Sequence, residues 1–416
     1  MSVAEKLAAP AAPRLLGGLR RDGRAVPLAA HVERYGPLPL ELRAAELLDR
    51  VARSGLTGRG GAGFPTATKL ESVLRRGTRP IVVANGTEGE PPSGKDKALL
   101  AYAPHLVIDG AVLAARAVNA KKVIVATTSI VHAAVARAIS ERPREAGIAV
   151  RTLVVPDRFV AGEETALIQF LNGGPAAPTL TPPRPYERGV GGAPTVVLNV
   201  ETLAHLALIA RYGATWFREA GTPDEPGSVL VTVSGAVRDP GVYEVELGSP
   251  FAQLLADAGA DGQAQAYLVG GYFGTWVKAT DAHGAAVSNV DLAHFGASLG
   301  ARAIIVLPPD ACGVVETARV ARYLAEESAG QCGPCVHGLA AIADSLEQLA
   351  DGGRHTADTA LLRRRLAQVA NRGACRHPDG AVALVASALR VFSDEVDRHL
   401  RGRRCTGHGR PVLPIP

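Results

Sequence analysis

Residues 80–91 read PIVVANGTEGEP, an apolar run that ends in a polar loop containing two glycines. The apolar part, 81–84, is short and rich in β-branched residues, which is typical of a strand buried on both faces of a parallel sheet. Strand and helix patterns alternate along the following chain, at about 103–119, 122–126, 130–146, 149–155 and 195–198. This alternation predicts an α/β domain with a mainly parallel sheet.

Acidic and amide side chains follow the predicted strands. These residues are Asn85, Glu88, Glu90, Glu163, Glu164 and Asn199. Paired carboxylates are typical of acid/base sites and metal ligands, but a single pair on a loop is as readily a set of solvated charges. Because ligands of open α/β sheets bind at the carboxyl ends of the strands, the shared placement favours a binding site.

A glycine-rich run, GRGGAG at 58–63, follows a helix predicted within 36–55. Backbone N–H groups at a glycine turn and at a helix N-terminus bind phosphate, because their dipoles point at the ligand. The dinucleotide-binding fingerprint follows a strand directly, whereas this run follows a helix. A nucleotide site and a structural turn therefore both remain open from the spacing alone.

All five cysteines lie in the last quarter of the chain, at Cys312, Cys332, Cys335, Cys375 and Cys405. Three of them, Cys332, Cys335 and Cys375, flank predicted helices and suit an iron–sulfur cluster. Zinc with His337 or His377 as a fourth ligand, and redox or inert thiols, remain alternatives. We expect Cys312 and Cys405 to be a core thiol and a tail thiol.

The composition excludes several other classes. The 45 basic and 40 acidic residues leave a formal charge of only +5, and we expect no nucleic-acid partner. No apolar run approaches ~20 residues, so we expect no membrane span. The first 24 residues do not follow the pattern of a secretory signal, which favours a cytoplasmic protein.

The pattern changes along the chain and predicts several parts. Short strands separated by glycines indicate a small α+β domain, and helical patterns at 313–328, 337–351, 357–370 and 379–400 indicate a four-helix bundle. The predicted parts are a mobile lead-in at 1–35, an α/β domain at 36–222, the α+β domain at 226–308, the bundle at 312–400 and a tail at 401–416.

Several longer motifs occur in one order. They are GLTGRGGAGFPT at 55–66, N-x-x-EGEP at 85–91 with Lys95 and Asp96, GEETAL at 162–167, NVETL at 199–203, SG…PGVY within 234–243 and ES…GQCGPC within 327–335. Together they resemble the NADH-binding, FMN-carrying flavoprotein subunit of respiratory complex I, over about 36–400. The resemblance implies an FMN-binding α/β domain, a ubiquitin-like (SLBB) domain and a four-helix bundle that holds a [4Fe–4S] cluster.

The resemblance also implies roles for individual residues. FMN would be held by Gly58, Arg59, Gly60, Gly61, Lys69, Asn85, Glu88, Gly162, Glu163, Asn199 and Thr202. Phe64 would stack near the nicotinamide nucleotide, while Glu90 and Glu164 would position the donor by binding its polar groups. The cluster ligands would be Cys332, Cys335 and Cys375.

The chain departs from the family pattern at both ends of the expected electron path. Ala329 stands where the family has the first cysteine of Cys-x-x-Cys-x-x-Cys. Three cysteines are compatible with a [3Fe–4S] cluster, a [4Fe–4S] cluster with His337, His377 or Cys312 as a further ligand, zinc, or no metal. Two aromatic residues that enclose the adenine ring in the family correspond to positions near Ser72 and Arg184.

Two smaller departures lie around the expected FMN site. Thr87 replaces an acidic residue and Leu198 replaces an asparagine, so fewer side chains can hydrogen-bond the flavin.

The leading hypothesis is a flavin-dependent electron-transfer protein, in which FMN oxidises NADH and electrons leave singly through an iron–sulfur cluster or partner protein. The partner would be an iron–sulfur or ferredoxin-like protein, with the chain at the inner face of a membrane through its partners. The alternative is a non-catalytic scaffold or assembly subunit that retains the fold with a degenerate pocket. A relative of the Rnf-type oxidoreductases would carry two complete Cys-x-x-Cys-x-x-Cys motifs, and this chain has none.

Overall fold

The computed structural model of the chain describes residues 14–17, 25–77, 79–143, 145–352, 358–403, 405 and 411–416. Within them the chain forms two compact units. The first comprises the chain up to Gly89 together with 94–230 and 242–248. The second comprises 90–93, 231–241 and the chain from Ser249 onward.

The first unit contains a four-stranded parallel sheet with the strand order β3-β2-β1-β4, which confirms the predicted α/β class. Its strands are β1 Ile81–Gly86, β2 Lys122–Thr127, β3 Ala149–Val154 and β4 Thr195–Asn199. Its helices are α1 Leu28–Tyr35, α2 Ala44–Ser54, α3 Thr66–Leu74, α4 Lys95–Tyr102, α5 Pro104–Ala117, α6 Ser129–Ser140, α7 Glu164–Leu171 and α8 Val200–Arg218.

Both faces of this sheet are covered, as the apolar runs predict. Alternate residues of a strand point to opposite faces. Val82 and Ala84 of β1 belong to one core cluster, which includes most of α5 and α8. Ile81 and Val83 belong to a second cluster, which includes residues of α7. The strands are therefore uniformly apolar because neither face contacts water.

Helices α5 and α8 pack closely on one face of the sheet. A Cβ atom added to Gly110 would lie 1.8 Å from the carbonyl oxygen of Leu203, so only glycine permits this contact. No single helix in the described part of the chain is long and apolar enough to cross a membrane. By length and composition alone, α4 and α5 together could, although the pair is bent by 96°.

Asp109 of α5 joins three parts of the first unit. His31 Nε2 of α1 lies 2.9 Å from its Oδ2, and the guanidinium groups of Arg142 and of Arg211 on α8 also pair with it. Burial alone would raise the pKa of Asp109. The hydrogen bond from His31 and the two guanidinium groups outweigh burial and lower the pKa to about 2.

A five-stranded sheet has the order β6-β5-β9-β7-β8, in which β5 runs parallel to β9 and β7 runs antiparallel to β8 and β9. Its strands are β5 Ser228–Gly235, β6 Gly241–Glu246, β7 Ala266–Val269, β8 Thr275–Lys278 and β9 Ala303–Leu307. Strands β8 and β9 were not predicted from the sequence. The short helices α9 Phe251–Asp257, α10 Ala279–Ala282 and α11 Asn289–Ala293 accompany them.

The C-terminal region is helical, as predicted. Its helices are α12 Gly313–Glu326, α13 Ala340–Ala350, α14 Thr359–Val369, α15 His377–Val391 and α16 Ser393–Leu400, with a π-helical turn at Pro334–Leu339 before α13. The single helix predicted at 379–400 is divided at Phe392. Phe392 packs against Trp276, with ring centroids 5.0 Å apart, and against Gly313, where a Cβ atom would lie 2.3 Å from its ring.

The predicted lead-in and tail fall largely outside the described residues. Residues 1–13 and 18–24 of the lead-in, and residues 404 and 406–410 of the tail, are not among them. In the described part, Leu15 and Leu16 are buried, and both of their N–H groups donate to the Glu244 carboxylate.

We predict that Asp109→Asn destabilises the protein by about 3–5 kcal/mol, because it leaves two buried guanidinium groups without their counter-charge. Thermal and urea unfolding followed by circular dichroism measure the loss. The folded pKa of Asp109 lies below its ordinary value of 3.8, so its contribution is present above about pH 4 and is lost as the pH falls toward 2. The variant should lack this part of the acid dependence.

Asp49→Asn is the matched control for Asp109→Asn. Asp49 also pairs with an arginine on a helix, but both side chains of the Asp49–Arg53 pair are exposed. Its loss should change stability by less than about 1 kcal/mol. Equal effects of the two substitutions would contradict the role of Asp109.

Candidate functional site

The glycine-rich run forms a tight loop between α2 and α3. The Gly58 N–H donates to the Phe64 carbonyl at 2.8 Å, and the Thr66 N–H donates to the Leu56 carbonyl at 3.0 Å. Gly61 and Gly63 have φ angles of 109° and 63°, which L-residues rarely adopt. The run therefore needs glycine for its backbone path, and it leads directly into the N-terminus of α3.

This loop lies against the start of α8, about 140 residues further along the chain. A Cβ atom on Gly60 would lie 3.4 Å from the Asn199 Cβ, and the Arg59 N–H donates to Thr202 Oγ1 at 2.8 Å. The Arg59 guanidinium is held by Thr57 Oγ1 and the Pro226 carbonyl, both at 3.2 Å. The fold thus brings the glycine run and the end of β4 together, as the sequence predicts.

The loop after β1 packs against the loop before α7. Asn85 Nδ2 donates to the Gly162 carbonyl at 2.9 Å. Cβ atoms on Gly89 and Gly162 would lie 2.5 Å from the Arg158 carbonyl and 2.6 Å from the Thr87 carbonyl. The two backbones touch at these glycines, so the predicted residues Asn85 and Gly162 are direct neighbours.

The predicted acidic residues before α7 have different partners. Glu163 is the N-cap of α7, and its carboxylate accepts the Thr165 N–H at 2.9 Å and the Ala166 N–H at 3.0 Å. Glu164 forms a 3.1 Å ion pair with Lys69 of α3, and both side chains are partly exposed. Lys69 and Glu164, predicted to bind FMN and the donor respectively, are therefore joined.

A buried set of charges lies under the ends of β1 and β4. Lys95 Nζ lies 2.6 Å from an Asp96 oxygen and 3.1 Å from a Glu201 oxygen. Asn199 Nδ2 donates to the other Asp96 oxygen at 2.6 Å. Glu88 accepts the N–H groups of Asp96 and Lys97 at 3.2 and 3.1 Å, at the N-terminus of α4.

Sequence reasoning did not assign Lys95, Asp96 or Glu201 to the site, although all three stand inside its quoted motifs. Burial is the largest effect on Asp96 and raises the pKa of its carboxyl to about 6, with Glu88 and Glu201 adding to the rise and Lys95 opposing it. Neutral and charged forms of Asp96 are therefore both accessible near neutral pH.

The segments predicted to enclose adenine are adjacent. Ser72 is on α3 with its hydroxyl bonded to the Thr68 carbonyl, and Arg184 begins a turn that extends to Glu187. An ion pair of 2.9 Å between Arg76, just after α3, and Glu187 joins the helix to this turn.

Two predicted donor contacts are placed differently. Phe64 is 52% exposed at the end of the glycine loop, which leaves its ring accessible for stacking. Glu90 belongs to the second unit, where its Oε1 accepts the Tyr272 N–H at 2.7 Å. Neither role is tested by these contacts, and both stay predictions.

The predicted cluster cysteines lie around the π-helical turn of the second unit. Cys335 is buried on this turn, while Cys332 precedes it and Cys375 precedes α15. Burial and the neighbouring sulfurs of Cys332 and Cys375 raise the pKa of Cys335 to about 12. Three thiols therefore converge here from two segments that are distant in sequence.

The residues considered as a fourth ligand are engaged or exposed. His377 is buried, and its Nε2 lies 2.7 Å from the Leu324 carbonyl. His337 is exposed on the π-helical turn, and Cys312 Sγ lies 3.3 Å from His399 Nε2. Ala329 has no donor atom, so the described cysteines provide three ligands here.

The residues of the first unit fit FMN. The glycine run presents backbone N–H groups beside a helix N-terminus, which suits a phosphate. Thr66, the first residue of α3, is buried, and its Oγ1 has no hydrogen-bond partner among the described residues. The thiols of the second unit fit an iron–sulfur cluster with three cysteine ligands.

Three family models match the chain. Residues 51–208 match the Nuo51 FMN-binding domain, and residues 316–399 match the NADH-ubiquinone oxidoreductase-F iron-sulfur binding region. Residues 230–261 match the SLBB domain. These matches confirm the predicted α/β, SLBB and helical parts of the fold and the predicted FMN and iron–sulfur cofactors.

Individual relatives match over most of their length. The second NADH-quinone oxidoreductase-F of Rhizobium meliloti (strain 1021) is 31% identical over 382 residues, which are 87% of this chain and 90% of the relative. The NADH-quinone oxidoreductase-F of Streptomyces coelicolor is 32% identical, over 88% of this chain and 85% of its own. A crystal structure of an NAD+-reducing [NiFe]-hydrogenase in the H2-reduced state superposes with a TM-score of 0.81 and 32% identity, over 91% of this chain and 67% of that one. The chain belongs to the NADH-quinone oxidoreductase-F family.

Proposed function

We propose that this chain is an oxidoreductase of the NADH dehydrogenase type, which oxidises NADH at bound FMN and passes electrons to an iron–sulfur centre. One observation carries the proposal: the glycine run, the end of β1, the end of β4 and the start of α7 converge although they are distant in sequence. When bound, FMN supplies the conversion between the two-electron chemistry of NADH and single-electron transfer.

The protein binds and orients the flavin. We assign the phosphate to the glycine run Gly58–Gly61 and the nearby Lys69, because the buried carboxylates of Glu88, Asp96 and Glu201 would repel a phosphate on their side. Asn85 and Asn199 then offer amide groups to the polar atoms of the flavin. Thr202 acts through the loop, since its hydroxyl holds the Arg59 N–H.

The proposed NADH site lies beside α3. Phe64 provides an exposed ring for stacking, and Glu164 accepts hydrogen bonds from the hydroxyl or amide groups of the donor. The ion pair with Lys69 holds Glu164 in place. Glu90 is assigned the same positioning role as Glu164, and neither group needs to gain or lose a proton in the reaction.

The second unit holds the iron–sulfur site. We propose Cys332, Cys335 and Cys375 as its ligands, with the remaining coordination position filled by a group other than residue 329. The domain assignment that accompanies this proposal is 36–222 for FMN and NADH binding, 226–308 for the SLBB domain and 312–400 for the cluster bundle.

We further propose an iron–sulfur or ferredoxin-like protein as the electron acceptor, in a cytoplasmic complex that lies peripherally at the inner face of a membrane. The names of the quinone-oxidoreductase relatives support a multi-subunit complex. The scaffold alternative has no support, because the FMN-binding and iron–sulfur regions are both recognisable by their family models.

The function is tested by purifying the chain without air and titrating it with NADH. We expect a flavin absorption band at about one FMN per chain, bleached by NADH and restored by an artificial one-electron acceptor. A flavin band that NADH leaves unchanged would contradict NADH oxidation. A colourless protein that takes up no added FMN would contradict the flavin site itself.

The contact between the loop and α8 gives a sharper test of the FMN site. Thr202→Val removes the acceptor of the Arg59 N–H, and an unsatisfied buried donor costs about 1–3 kcal/mol. We expect FMN affinity to fall by about 5- to 150-fold, measured by fluorescence titration of the apoprotein. Thr202→Ser, which keeps the acceptor, is the control; equal affinities of the two variants would disprove the role of this contact.

The adenine segments predict a gain of function. Ser72→Phe places an aromatic ring where the family has one, and stacking contributes about 0.5–1.5 kcal/mol. We expect the Kd for NADH to fall by about 2- to 12-fold while FMN affinity is unchanged. Ser72→Ala removes the hydroxyl without adding a ring and should leave the Kd for NADH unchanged. Tighter NADH binding by both variants, or by neither, would contradict the placement of adenine.

A further inference from the structure

A second group of metal-ligating side chains lies in the C-terminal helical region, apart from the cysteines Cys332, Cys335 and Cys375. Cys312 directly precedes α12, His399 lies near the end of α16, and Cys405 follows that helix. Cys312 Sγ lies 3.3 Å from His399 Nε2, which lies 3.2 Å from Cys405 Sγ. All three ligand atoms are within 4.8 Å of one another.

A carboxylate completes the group. Glu395 precedes His399 by one helical turn, so both project from the same face of α16. Its Oε2 lies 3.3 Å from Cys312 Sγ and accepts the Val314 N–H at 3.1 Å. Its Oε1 accepts a hydrogen bond from Gln265 at 2.7 Å, which fixes the orientation of the carboxylate.

The whole group is excluded from solvent. The relative exposures are 1% for Cys312, 0% for His399, 7% for Cys405 and 6% for Glu395. Both cysteines are free thiols, so no disulfide links them. Arg398 Nη1 lies 3.7 Å from Cys405 Sγ, and the N-terminus of α12 lies at Cys312. A guanidinium and a helix N-terminus both favour the thiolate form that binds metals.

The spacing suits one ion. With Zn–S and Zn–N distances near 2.3 and 2.0–2.1 Å, a tetrahedral site has an S···N edge of about 3.5 Å. The observed S···N distances of 3.2 and 3.3 Å are shorter by a few tenths of an ångström, so a small outward movement admits the ion. An iron–sulfur cluster needs thiolates distributed around several iron atoms, and this group has only two.

We propose that Cys312, His399 and Cys405, with Glu395 as the fourth ligand, form a structural zinc site. Two thiolates, one imidazole and one carboxylate are the ligand types that zinc takes in four-coordinate sites. The ion joins the start of α12 to the end of α16 and to the segment that follows it. This site is separate from the electron path and does not depend on the proposed function.

The test is the zinc content of the purified full-length chain, measured by mass spectrometry of the metals. We expect about one zinc per chain, lost in Cys405→Ser and in His399→Gln. The matched control is the double variant Cys332→Ser/Cys335→Ser, which should keep its zinc because it alters only the proposed cluster ligands. Zinc that disappears from the control but persists in Cys405→Ser would overturn the proposal.

Cobalt provides a second readout. After removal of zinc with a chelator, we expect Co2+ alone to give a thiolate charge-transfer band and intense tetrahedral bands in the wild type and in the control double variant. Cys405→Ser should show neither at full intensity. If the variants do not fold, the wild type still decides: no binding of Zn2+ or Co2+, or a Cys312–Cys405 disulfide in the intact mass and peptide map, would overturn the proposal.

Discussion

The parallel pairing of β1 with β4 is the constraint on which the candidate site depends. It places Asn85 opposite Asn199, while β2 pairs with the other edge of β1. The connections that leave β1 and β4 thus begin at one edge of the sheet and diverge. A crevice opens at such a position in doubly wound sheets, and the glycine run reaches it from outside the sheet.

This arrangement carries an electrostatic cost. Three buried carboxylates, Glu88, Asp96 and Glu201, surround the ammonium of Lys95. Burial wins over the attraction to Lys95 at Asp96, whose pKa rises to about 6. A chain that kept only the shape of the fold would gain stability by replacing such groups with apolar ones. Their presence beneath the crevice is better explained by a bound polar ligand than by a scaffold.

Much of this organisation could be predicted from the sequence, for physical reasons. Strands β1, β2 and β4 are buried on both faces, so their apolar runs are unambiguous. The glycine run and the strand ends were predicted to meet because parallel strands end at one edge. Burial of Lys95 and Glu201 could not be predicted, since a charged residue carries no local sign that its partner lies about 100 positions away.

Other features depend on contacts that no local pattern records. The sequence around Phe392 has no proline or glycine to end a helix, and the break follows from its packing against Gly313 and Trp276. Strand β9 pairs with β5, about 70 residues earlier, and the four-residue strand β8 is too short for a periodic signal. Cys312 and Cys405, expected to be unrelated thiols, likewise meet only in the folded chain.

The two departures from the family pattern have different structural consequences. Ala329 removes a donor atom, yet Cys335 still has Cys332 and Cys375 as neighbours, so the cluster pocket has lost a ligand rather than its shape. At the other end, Ser72 and Arg184 leave the adenine segments joined by the Arg76–Glu187 ion pair but without aromatic rings. Because stacking contributes only about 0.5–1.5 kcal/mol per ring, its loss weakens a nucleotide site without abolishing it. Electron entry is therefore altered in affinity, whereas electron exit is altered in coordination chemistry.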